Sequence, residues 1–391
     1  MSSFPPSPPP AAAGDAAPAA DFSALLRQVI ARRDLTRAEA RAALAAILAG
    51  QASEAAIAAL LVALAMKGET VEEITGFAQA MRAAVRAFSP PSDPGVLDVS
   101  GTGRAALEAD PGTESPELVD TCGTGGDASG TFNISTAAAL IAAGAGLRVA
   151  KHGNRSLSSR CGSADVLEAL GVVVDLAPAA TAQCLAATGI GFFFAPAWHP
   201  AMRHVQPVRR ALRVRTVFNL LGPLTNPAGA PCQVIGVYAP EWTEKLAAAL
   251  GALGARRAFV VHGEDGLDEF STTAPTQVAE LRDGAVVTYR FDASRYGLPK
   301  AQLAQLAGGD AADNAAIIRA ILQGEPGPCR DIAVLNAAAA LLAAGPAAGG
   351  GDPWPEALRR ARHSLDSGAA AARLQAMVRF TRQAAAGDTA R

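Results

Sequence analysis

Apolar residues in the first part of the chain recur every three or four positions, from about residue 22 to residue 88. This spacing is typical of amphipathic helices, and no strand-like alternation interrupts it. Thr36 with Glu39, and Thr70 with Glu73, each have the spacing of a capping box, in which two side chains pair with backbone N–H groups at a helix start. The pattern therefore predicts a small all-helical domain of about four helices, two of which begin after Thr36 and Thr70.

Beyond residue 117 the pattern changes to short apolar runs separated by alanine-rich helical stretches. The candidate strands cover residues 118–121, 147–150, 172–175, 191–194, 234–238, 258–261 and 286–291. The candidate helices cover residues 135–143, 164–170, 241–253, 314–322 and 331–344, and one last long helix that Asp352 caps, with Pro353 as its first residue. Strands that alternate with helices predict an α/β fold with a mostly parallel central sheet flanked by helices.

Breaks in these patterns indicate the domain boundaries. In chain order we expect a disordered Pro/Ala-rich tail at 1–21, a small helical domain at 22–88, a hinge and insert at 89–117, and an α/β domain at 118–388. The basic helical stretch at about 199–214 interrupts the alternation, so we expect it to leave the sheet and join the helical domain. Within the insert, the glycines of residues 101–103 are followed by Arg104 instead of further glycine, and no site is predicted there.

Composition and charge narrow the class of protein. Half of the 391 residues are apolar, which is enough for a sizeable core, and the formal net charge of −2 lacks the basic surplus of dedicated nucleic-acid-binding proteins. The five cysteines are scattered without a CxxC pair, so neither a disulfide framework nor a zinc site is predicted. The N-terminus lacks the features of a signal peptide, and the longest apolar stretch is too short to cross a bilayer. We expect a cytoplasmic protein without membrane or nucleic-acid partners.

The first candidate site is a glycine-rich loop between a predicted strand and a predicted helix, with DTCGTGGD at residues 120–127 and TFNIST at 131–136. Glycines let the backbone turn tightly and bring N–H groups close to a ligand, and the helix start adds its positive end. Such a loop favours a phosphate or pyrophosphate. The spacing fits neither a P-loop nor a dinucleotide-binding motif. The alternative is a plain strand-to-helix turn in which a serine or threonine only caps the helix.

The second candidate site follows the next predicted strand, where KHGNRS occupies residues 151–156. Open α/β sheets bind ligands at the carboxyl ends of their strands. Lys151 and Arg155 are predicted to contact phosphate, whereas His152 and Asn154 are suited to orient a polar ring substituent. A histidine or lysine alone is more typical of a solvated loop, but the cluster, with several serines just beyond it, favours a binding loop.

Two further stretches carry charge of opposite sign. Asp268 and Glu269 are adjacent carboxylates after a predicted strand, and such oxygen ligands suit Mg²⁺. Arg209 lies in a basic run, and its planar guanidinium matches the geometry of a carboxylate. An exposed acidic loop and a solvated basic helix face are the respective alternatives.

With these residues in order, the sequence resembles the anthranilate phosphoribosyltransferase family. The motifs are GTGGD, FNIST, KHGNR with the SS and GSADVLEALGV that follow, RTVFNLLGPLTNP and HGEDGLDE. The resemblance covers the chain from about Leu25 to the C-terminal helix. It implies a fold of the nucleoside phosphorylase/phosphoribosyltransferase type, with substrates in the cleft between the two domains. It also implies transfer of the phosphoribosyl group of phosphoribosyl pyrophosphate to the anthranilate amine, in tryptophan biosynthesis, by a homodimer joined through the helical domain.

The resemblance also implies roles for individual residues. Phosphoribosyl pyrophosphate would be bound by Gly123, Gly126, Asp127, Thr131, Asn133, Ile134, Ser135, Thr136, Lys151, His152, Gly153, Asn154, Arg155, Ser156, Leu157, Ser158, Ser159 and Ser163. Anthranilate would be bound by Gly123, Asn154 and Arg209. Magnesium, as two ions per subunit, would be bound by Ser135, Asp268 and Glu269. No covalent intermediate is expected.

The sequence departs from the family pattern at a few places. The family usually has glycine at the positions of Ala128 and Arg213, and the insert before Asp120 is longer than its norm. Two other functions stay as alternatives: a pyrimidine nucleoside phosphorylase, which shares the architecture, and a non-enzymatic nucleic-acid-binding relative of the same fold. The KHGNR and RTVFNLLGP stretches disfavour the first, and the acidic balance and the Asp268–Glu269 pair disfavour the second.

Overall fold

A computed structural model of the chain describes residues 21–86, 88, 117–156, 160–345 and 351–388. The predicted hinge at 89–94, the insert up to residue 116 and most of the N-terminal tail lie outside the described residues. So do three residues of the second candidate site, Leu157, Ser158 and Ser159.

The N-terminal helical module comprises α1 (Phe22–Ile30), α2 (Arg37–Leu48), α3 (Glu54–Lys67) and α4 (Val71–Ala83). Both predicted capping boxes are present, because Thr36 and Thr70 accept from the N–H groups of Glu39 and Glu73, which reach back to the threonine N–H groups. Such a cap contributes about 1 kcal/mol. The pattern of local signals therefore predicted this module correctly.

A buried ion pair fixes the packing of the module. Glu73 is fully buried, and its carboxylate accepts from Lys67 Nζ at 2.9 Å, from Leu35 N at 2.9 Å and from Thr70 N at 2.8 Å. Lys67 Nζ also donates to Asp34 at 2.7 Å. Every charge in this cluster has a partner, as a buried ion pair requires.

Over the described residues, the α/β part consists of seven strands and the helices around them. The strands are β1 (Leu118–Asp120), β2 (Arg148–Gly153), β3 (Ile190–Phe194), β4 (Cys232–Gly236), β5 (Arg257–Gly263), β6 (Thr276–Arg282) and β7 (Ala285–Phe291). The helices are α5 (Ile134–Gly144), α6 (Ser163–Ala169), α7 (Pro178–Thr188), α8 (Ala195–Trp198), α9 (Gln206–Leu212), α10 (Val217–Leu224), α11 (Trp242–Ala252), α12 (Ala311–Leu322), α13 (Pro328–Ala344), α14 (Trp354–Asp366) and α15 (Ala369–Asp388). Single 3₁₀ turns lie at Pro200–His204, Ala293–Tyr296 and Leu303–Leu306.

The strands form one sheet in the order β3-β2-β1-β4-β5-β6-β7. β1 to β5 run parallel, and β6 and β7 are antiparallel, so the predicted mostly parallel sheet is confirmed. Successive residues of β4 alternate between two apolar clusters, with Val234 facing α5 and α13, and Ile235 facing the helical module and α11. Helices thus cover both faces of the parallel part of the sheet, which explains why β3 and β4 are buried along their whole length.

Three sequence predictions need correction. Residues 172–175 are not a strand, because the N–H of Val173 donates to the Thr381 hydroxyl on α15 and not to a neighbouring strand, while Val172 and Val174 are buried. β6 was not predicted, although the Asp283-Gly284 turn that joins it to β7 is a hairpin signal. The predicted last long helix is two helices, α14 and α15, broken at Gly368 with φ +75°, and Pro353 is the residue before the first of them.

The helical module docks directly on the α/β part. Arg82 of α4 is half-buried and donates to the carbonyls of Leu224 at 2.7 Å and Leu253 at 3.0 Å. The basic stretch leaves the sheet, since Val205 and Val208 lie in the same apolar cluster as the module helices. Among the described helices, none combines the length and apolar content needed to span a bilayer.

Candidate functional site

The glycine-rich loop lies at the carboxyl end of β4, where the strand order changes direction. Thr124 N donates to the Gly236 carbonyl at 2.8 Å, and Tyr238 N donates to the Thr124 hydroxyl at 3.2 Å. A Cβ on Gly123 would lie 3.0 Å from the Gly236 carbonyl oxygen and 3.4 Å from a carboxylate oxygen of Asp268. The loop and the acidic pair, which are distant in sequence, therefore meet at the place where open α/β sheets bind ligands.

The loop backbone turns through the left-handed region. Gly125 has φ +62°, Gly126 has φ +81° and Ala128 has φ +59°. Glycine adopts these angles readily, whereas a residue with a Cβ does so at a cost. The glycine expected at position 128 from the family pattern thus has a conformational reason, and Ala128 holds the same turn under strain.

Lys151 occupies the centre of the site, buried near the end of β2. Its ammonium group donates to the carbonyl and hydroxyl oxygens of Thr121, both at 3.2 Å, and to the Ser135 hydroxyl at 3.3 Å. The Thr121 hydroxyl donates to the Ser135 carbonyl at 3.1 Å. One cation therefore ties the start of the glycine-rich loop to the first turn of α5, the two parts of the predicted phosphate cradle.

Three carboxylates converge beside Lys151. Burial, followed by the negative charge of Asp127, raises the pKa of Asp268, and burial, followed by the charge of Asp268, raises the pKa of Glu269 well above its usual range. Asp127 Oδ2 is buried and has no hydrogen-bond partner among the described residues. Repelling carboxylates with an orphaned oxygen are stabilised by a cation, and an all-oxygen set fits Mg²⁺.

The loop that carries the acidic pair is held on both sides. Asp265 accepts from the Ser271 hydroxyl at 2.6 Å. The Asn336 side chain accepts from Phe270 N at 3.0 Å and donates to the Phe270 carbonyl at 2.9 Å, directly after Glu269. These bonds position the carboxylates before any ligand arrives.

His152 is engaged within the protein at both ring nitrogens. Its Nδ1 lies 3.1 Å from the Gly222 carbonyl oxygen and its Nε2 lies 3.2 Å from His199 Nε2. Because a carbonyl can only accept, His152 carries its proton on Nδ1 and accepts from His199 Nε2–H. Burial lowers the pKa of His152 to about 3 and that of His199 to about 4, so both rings are neutral. This differs from the expectation that the His152 ring orients a ligand.

Asp120 and its neighbours place possible metal-ligand atoms close together, since those of Asp120, Cys122 and His152 lie within 4.8 Å of one another. Both Asp120 oxygens are already engaged, with His152 N at 3.1 Å and Asn226 Nδ2 at 2.7 Å. Burial raises the pKa of the Cys122 thiol, which stays protonated. This cluster therefore forms the scaffold of the site and offers no open coordination position.

The side chain of Asp165 connects the two ends of the remaining KHGNRS loop. Asp165 accepts from Ser156 N at 3.1 Å and from Gly162 N at 2.8 Å, so it joins the two ends of the loop. Arg155 donates to Glu168 at 2.5 Å and 2.7 Å and to Asp165 at 3.2 Å. In this arrangement the guanidinium faces α6 and not a phosphate, which differs from its predicted role. Asn154 is exposed, with its carbonyl accepting from Ser163 Oγ at 3.3 Å.

At the start of α5, some polar side chains have hydrogen-bond partners within the protein and one does not. The Asn133 side chain donates to the Cys161 carbonyl at 3.3 Å and accepts from Asn314 Nδ2 at 2.9 Å, so it fixes the helix start. Thr136 Oγ1 is buried without a hydrogen-bond partner among the described residues. Thr131 forms an isolated bridge with Ala307. Of the side chains predicted here, that of Thr136 is the one whose hydroxyl awaits a partner.

Arg209 lies on α9 and faces the ring of Phe218, with 5.7 Å between the guanidinium carbon and the ring centroid. Burial lowers its pKa. Within the described part of the chain, no carboxylate or other acceptor pairs with its guanidinium. A partly buried arginine in this state is suited to a carboxylate ligand.

Several residues that position the site carry no sequence signal recognised above. Gly236 is required because a Cβ there would lie 1.4 Å from the Asp268 carbonyl oxygen. Asn336, Asn314 and Asp165 act through backbone or side-chain contacts across long sequence separations. Only the topology brings them to the site, although polar residues such as Asn336, within an alanine-rich helix, are the kind of signal that could have drawn attention.

Comparison with known proteins gives consistent results. Residues 115–371 match the glycosyl transferase family, a/b domain, and residues 23–85 match the glycosyl transferase family, helical bundle domain. The anthranilate phosphoribosyltransferase of Moorella thermoacetica is 54% identical over 365 residues, which cover 93% of this chain and 100% of that protein.

Solved structures are similar over nearly their full length. The anthranilate phosphoribosyltransferase of Thermus thermophilus shares 43% identity with a TM-score of 0.79, covering 91% of this chain and 99% of that chain. The enzyme from Saccharomyces cerevisiae, in complex with PRPP and Mg, shares 26% identity with a TM-score of 0.78, covering 93% of this chain and 98% of that chain.

Proposed function

The chain belongs to the anthranilate phosphoribosyltransferase family, and from that premise we propose how its residues divide the work of the reaction. The enzyme is a Mg²⁺-dependent glycosyltransferase of tryptophan biosynthesis. It moves the 5-phosphoribosyl group from phosphoribosyl pyrophosphate to the anthranilate amine, and N-(5-phosphoribosyl)anthranilate and pyrophosphate are the products. We place both substrates between the helical domain at 22–88 and the α/β domain at 118–388.

The diphosphate of phosphoribosyl pyrophosphate would be held by the glycine-rich loop and the start of α5. Backbone N–H groups of the loop, the positive end of the helix and the Lys151 ammonium all bring positive charge to one place. The orphaned hydroxyl of Thr136 supports this proposal, because a buried donor without a partner awaits an acceptor. His152 and Arg155 would contribute by holding the KHGNRS loop in shape.

Magnesium would be held by Ser135, Asp268 and Glu269, as two ions per subunit. The unpaired Asp127 oxygen and the raised pKa values of the acidic pair support a divalent cation at this place. When bound there, the metal supplies positive charge that stabilises the departing diphosphate.

Anthranilate would be held by Arg209 through its carboxylate, with Asn154 and Gly123 alongside. Its aromatic amine is already nucleophilic when neutral, so the chain mainly has to position it. We propose that the bond from ribose to pyrophosphate breaks early and leaves an oxocarbenium-like sugar. The protonated Cys122 thiol is not a nucleophile, in agreement with a mechanism without a covalent intermediate.

We also propose a cytoplasmic homodimer joined through the helical domain. Ile30 of α1 and Met66 of α3 are 64% and 70% exposed, and Val62 lies exposed one turn before Met66. Exposed apolar side chains on neighbouring helices are typical of a subunit interface. Sedimentation of the purified chain measures the oligomeric state, and a monomer at micromolar concentration would contradict the proposal.

The loss of anthranilate fluorescence on addition of enzyme, Mg²⁺ and phosphoribosyl pyrophosphate tests the activity. The convergence of the glycine-rich loop with Asp268 is the observation that carries the assignment of the site. The fluorescence should fall with time and should stop falling when EDTA removes the metal. A chain that instead cleaves pyrimidine nucleosides with phosphate, and leaves anthranilate unchanged, would favour the phosphorylase alternative.

A further inference from the structure

Arg215 connects the start of α10 to the glycine-rich loop. Its guanidinium carbon lies 4.3 Å from the centroid of the Tyr238 ring, and its Nη2 donates to the Gly126 carbonyl. The backbone around it is fixed, because Arg213 ends α9 and Thr216 N donates to Asn219 Oδ1 at 3.1 Å to begin α10. An otherwise exposed side chain is thus held at two points.

The contact with Gly126 sets the direction of the next N–H group. In a trans peptide the C=O of one residue and the N–H of the following residue point in opposite directions. With its carbonyl bound to Arg215, the Gly126–Asp127 peptide therefore directs the Asp127 N–H away from Arg215. No described residue accepts a hydrogen bond from that N–H. Gly126 itself has φ +81°, and because glycine adopts positive and negative φ with similar ease, the contact with Arg215 helps to fix this one conformation.

Tyr238 anchors the same loop a second time. Its backbone N–H donates to the Thr124 hydroxyl at 3.2 Å, while its ring stacks on Arg215. Thr124 N is in turn bound to the Gly236 carbonyl. The end of β4 therefore holds the loop directly at Thr124 and, through Arg215, at Gly126.

We propose that Arg215 is a positioning residue that aims the Asp127 N–H at the diphosphate, and that the Tyr238 ring holds Arg215 in place for this purpose. The inference rests on the proposed diphosphate cradle. It assigns to Arg215 no contact with substrate.

Kinetics of Arg215→Met and Tyr238→Leu test the inference. Arg215→Met removes the donors and the charge at similar length, and it should raise KM for phosphoribosyl pyrophosphate about tenfold while KM for anthranilate stays within about twofold. Tyr238→Leu keeps the backbone bond to Thr124 and leaves Arg215 intact but unanchored. It should raise KM for phosphoribosyl pyrophosphate by about threefold. The double variant should have the same KM for phosphoribosyl pyrophosphate as Arg215→Met alone. Arg210→Met, on the exposed side of α9, is the matched control and should leave both KM values unchanged.

Binding of magnesium diphosphate, followed by calorimetry, separates this inference from the cradle. If the natural chain does not bind magnesium diphosphate, the cradle is wrong and the inference fails with it. If it binds, but Arg215→Met binds equally well, only the role of Arg215 is wrong. If Arg215→Met loses affinity while Tyr238→Leu keeps it fully, the Tyr238 ring does not hold Arg215 in place, and that part of the inference is overturned. Equal shifts of KM for both substrates would overturn the positioning role.

Discussion

The helical module and the α/β site each bury carboxylates near a lysine, but only in the module does the lysine form an ion pair with the carboxylate. In the module, Glu73 accepts hydrogen bonds from Lys67 and from two backbone N–H groups. In the site, Lys151 donates to Thr121 and Ser135, and the nearby carboxylates repel one another. The first cluster is complete without a ligand, whereas the second is completed only by a cation. Burial of a charged group alone therefore does not indicate a binding site, whereas burial without an ion-pair partner does.

Neutralising the acidic pair should have the largest effect on activity. Asp268→Asn combined with Glu269→Gln keeps the shape of both side chains but removes the charge that would hold Mg²⁺. We expect kcat/KM to fall by about a thousandfold at saturating metal, because transition-state charge loses its stabilisation. The fluorescence assay measures kcat/KM. Activity within tenfold of the natural chain would show that Mg²⁺ binds at another place.

The same double variant should gain stability in EDTA at high pH. Since the pKa values of both carboxyl groups are raised in the folded chain, the unfolded chain loses these protons at lower pH, and folding becomes less favourable as pH rises from about 4 through the raised values. The neutral variant lacks this loss. Urea denaturation at pH 5 and pH 8 measures the free energy of unfolding of both chains. The variant should be more stable than the natural chain at pH 8, and this difference should be larger at pH 8 than at pH 5. A narrower margin at pH 8 would contradict the raised pKa values.

Neutralising Glu73 in the helical module should lower the stability of the fold and leave the catalytic activity unchanged. Glu73→Gln leaves Lys67 buried with only Asp34 as a charged partner, so we expect a loss of about 3 kcal/mol in the free energy of unfolding. Urea denaturation measures the loss, and kcat/KM of the remaining folded enzyme should be unchanged. An unaltered free energy of unfolding would contradict the claim that the pairing of Glu73 with Lys67 stabilises the fold.

Arg209 is a cation without an acceptor among the described residues, and it can be compared with the carboxylates that lack an ion-pair partner there. Arg209→Ala should raise KM for anthranilate by roughly ten- to a hundredfold, the range expected for a lost charged hydrogen-bond pair, with KM for phosphoribosyl pyrophosphate within about twofold. Arg210→Ala, its exposed neighbour, serves as the control in the same steady-state measurement. Equal effects on both substrates would reject the carboxylate role.

Arg213 is expected to give the smallest effect. It ends α9 with φ +51°, where a Cβ is unfavourable, so Arg213→Gly should stabilise the fold by about 0.5–1 kcal/mol after the entropy of glycine in the unfolded chain is deducted. Asp283→Gly, at φ +53° in a hairpin turn that aspartate tolerates, should gain less. Thermal unfolding compares the two, and a loss of stability in Arg213→Gly would show that the arginine makes a contact that outweighs its strain.

The parts of the fold that local signals determine were predictable from the sequence. The capping boxes at Thr36 and Thr70 and the glycine-rich loop are contiguous, so their physical reasons are visible in a few residues. The false strand at 172–175 is an apolar run of the right length, but it has no neighbouring strand to pair with, which only the sheet order reveals. Gly236, Asn336 and Arg215 lie far from the motifs they support, and their roles arise from topology alone.

The direct test of the central claim is calorimetric titration of magnesium diphosphate into three chains: the natural one, Glu73→Gln, and Asp268→Asn with Glu269→Gln. If Asp268 and Glu269, which form no ion pair among the described residues, hold the metal and its diphosphate, the first two chains bind alike and the third binds at least about a hundredfold more weakly. Binding by the third chain within a few fold of the natural one would contradict the claim.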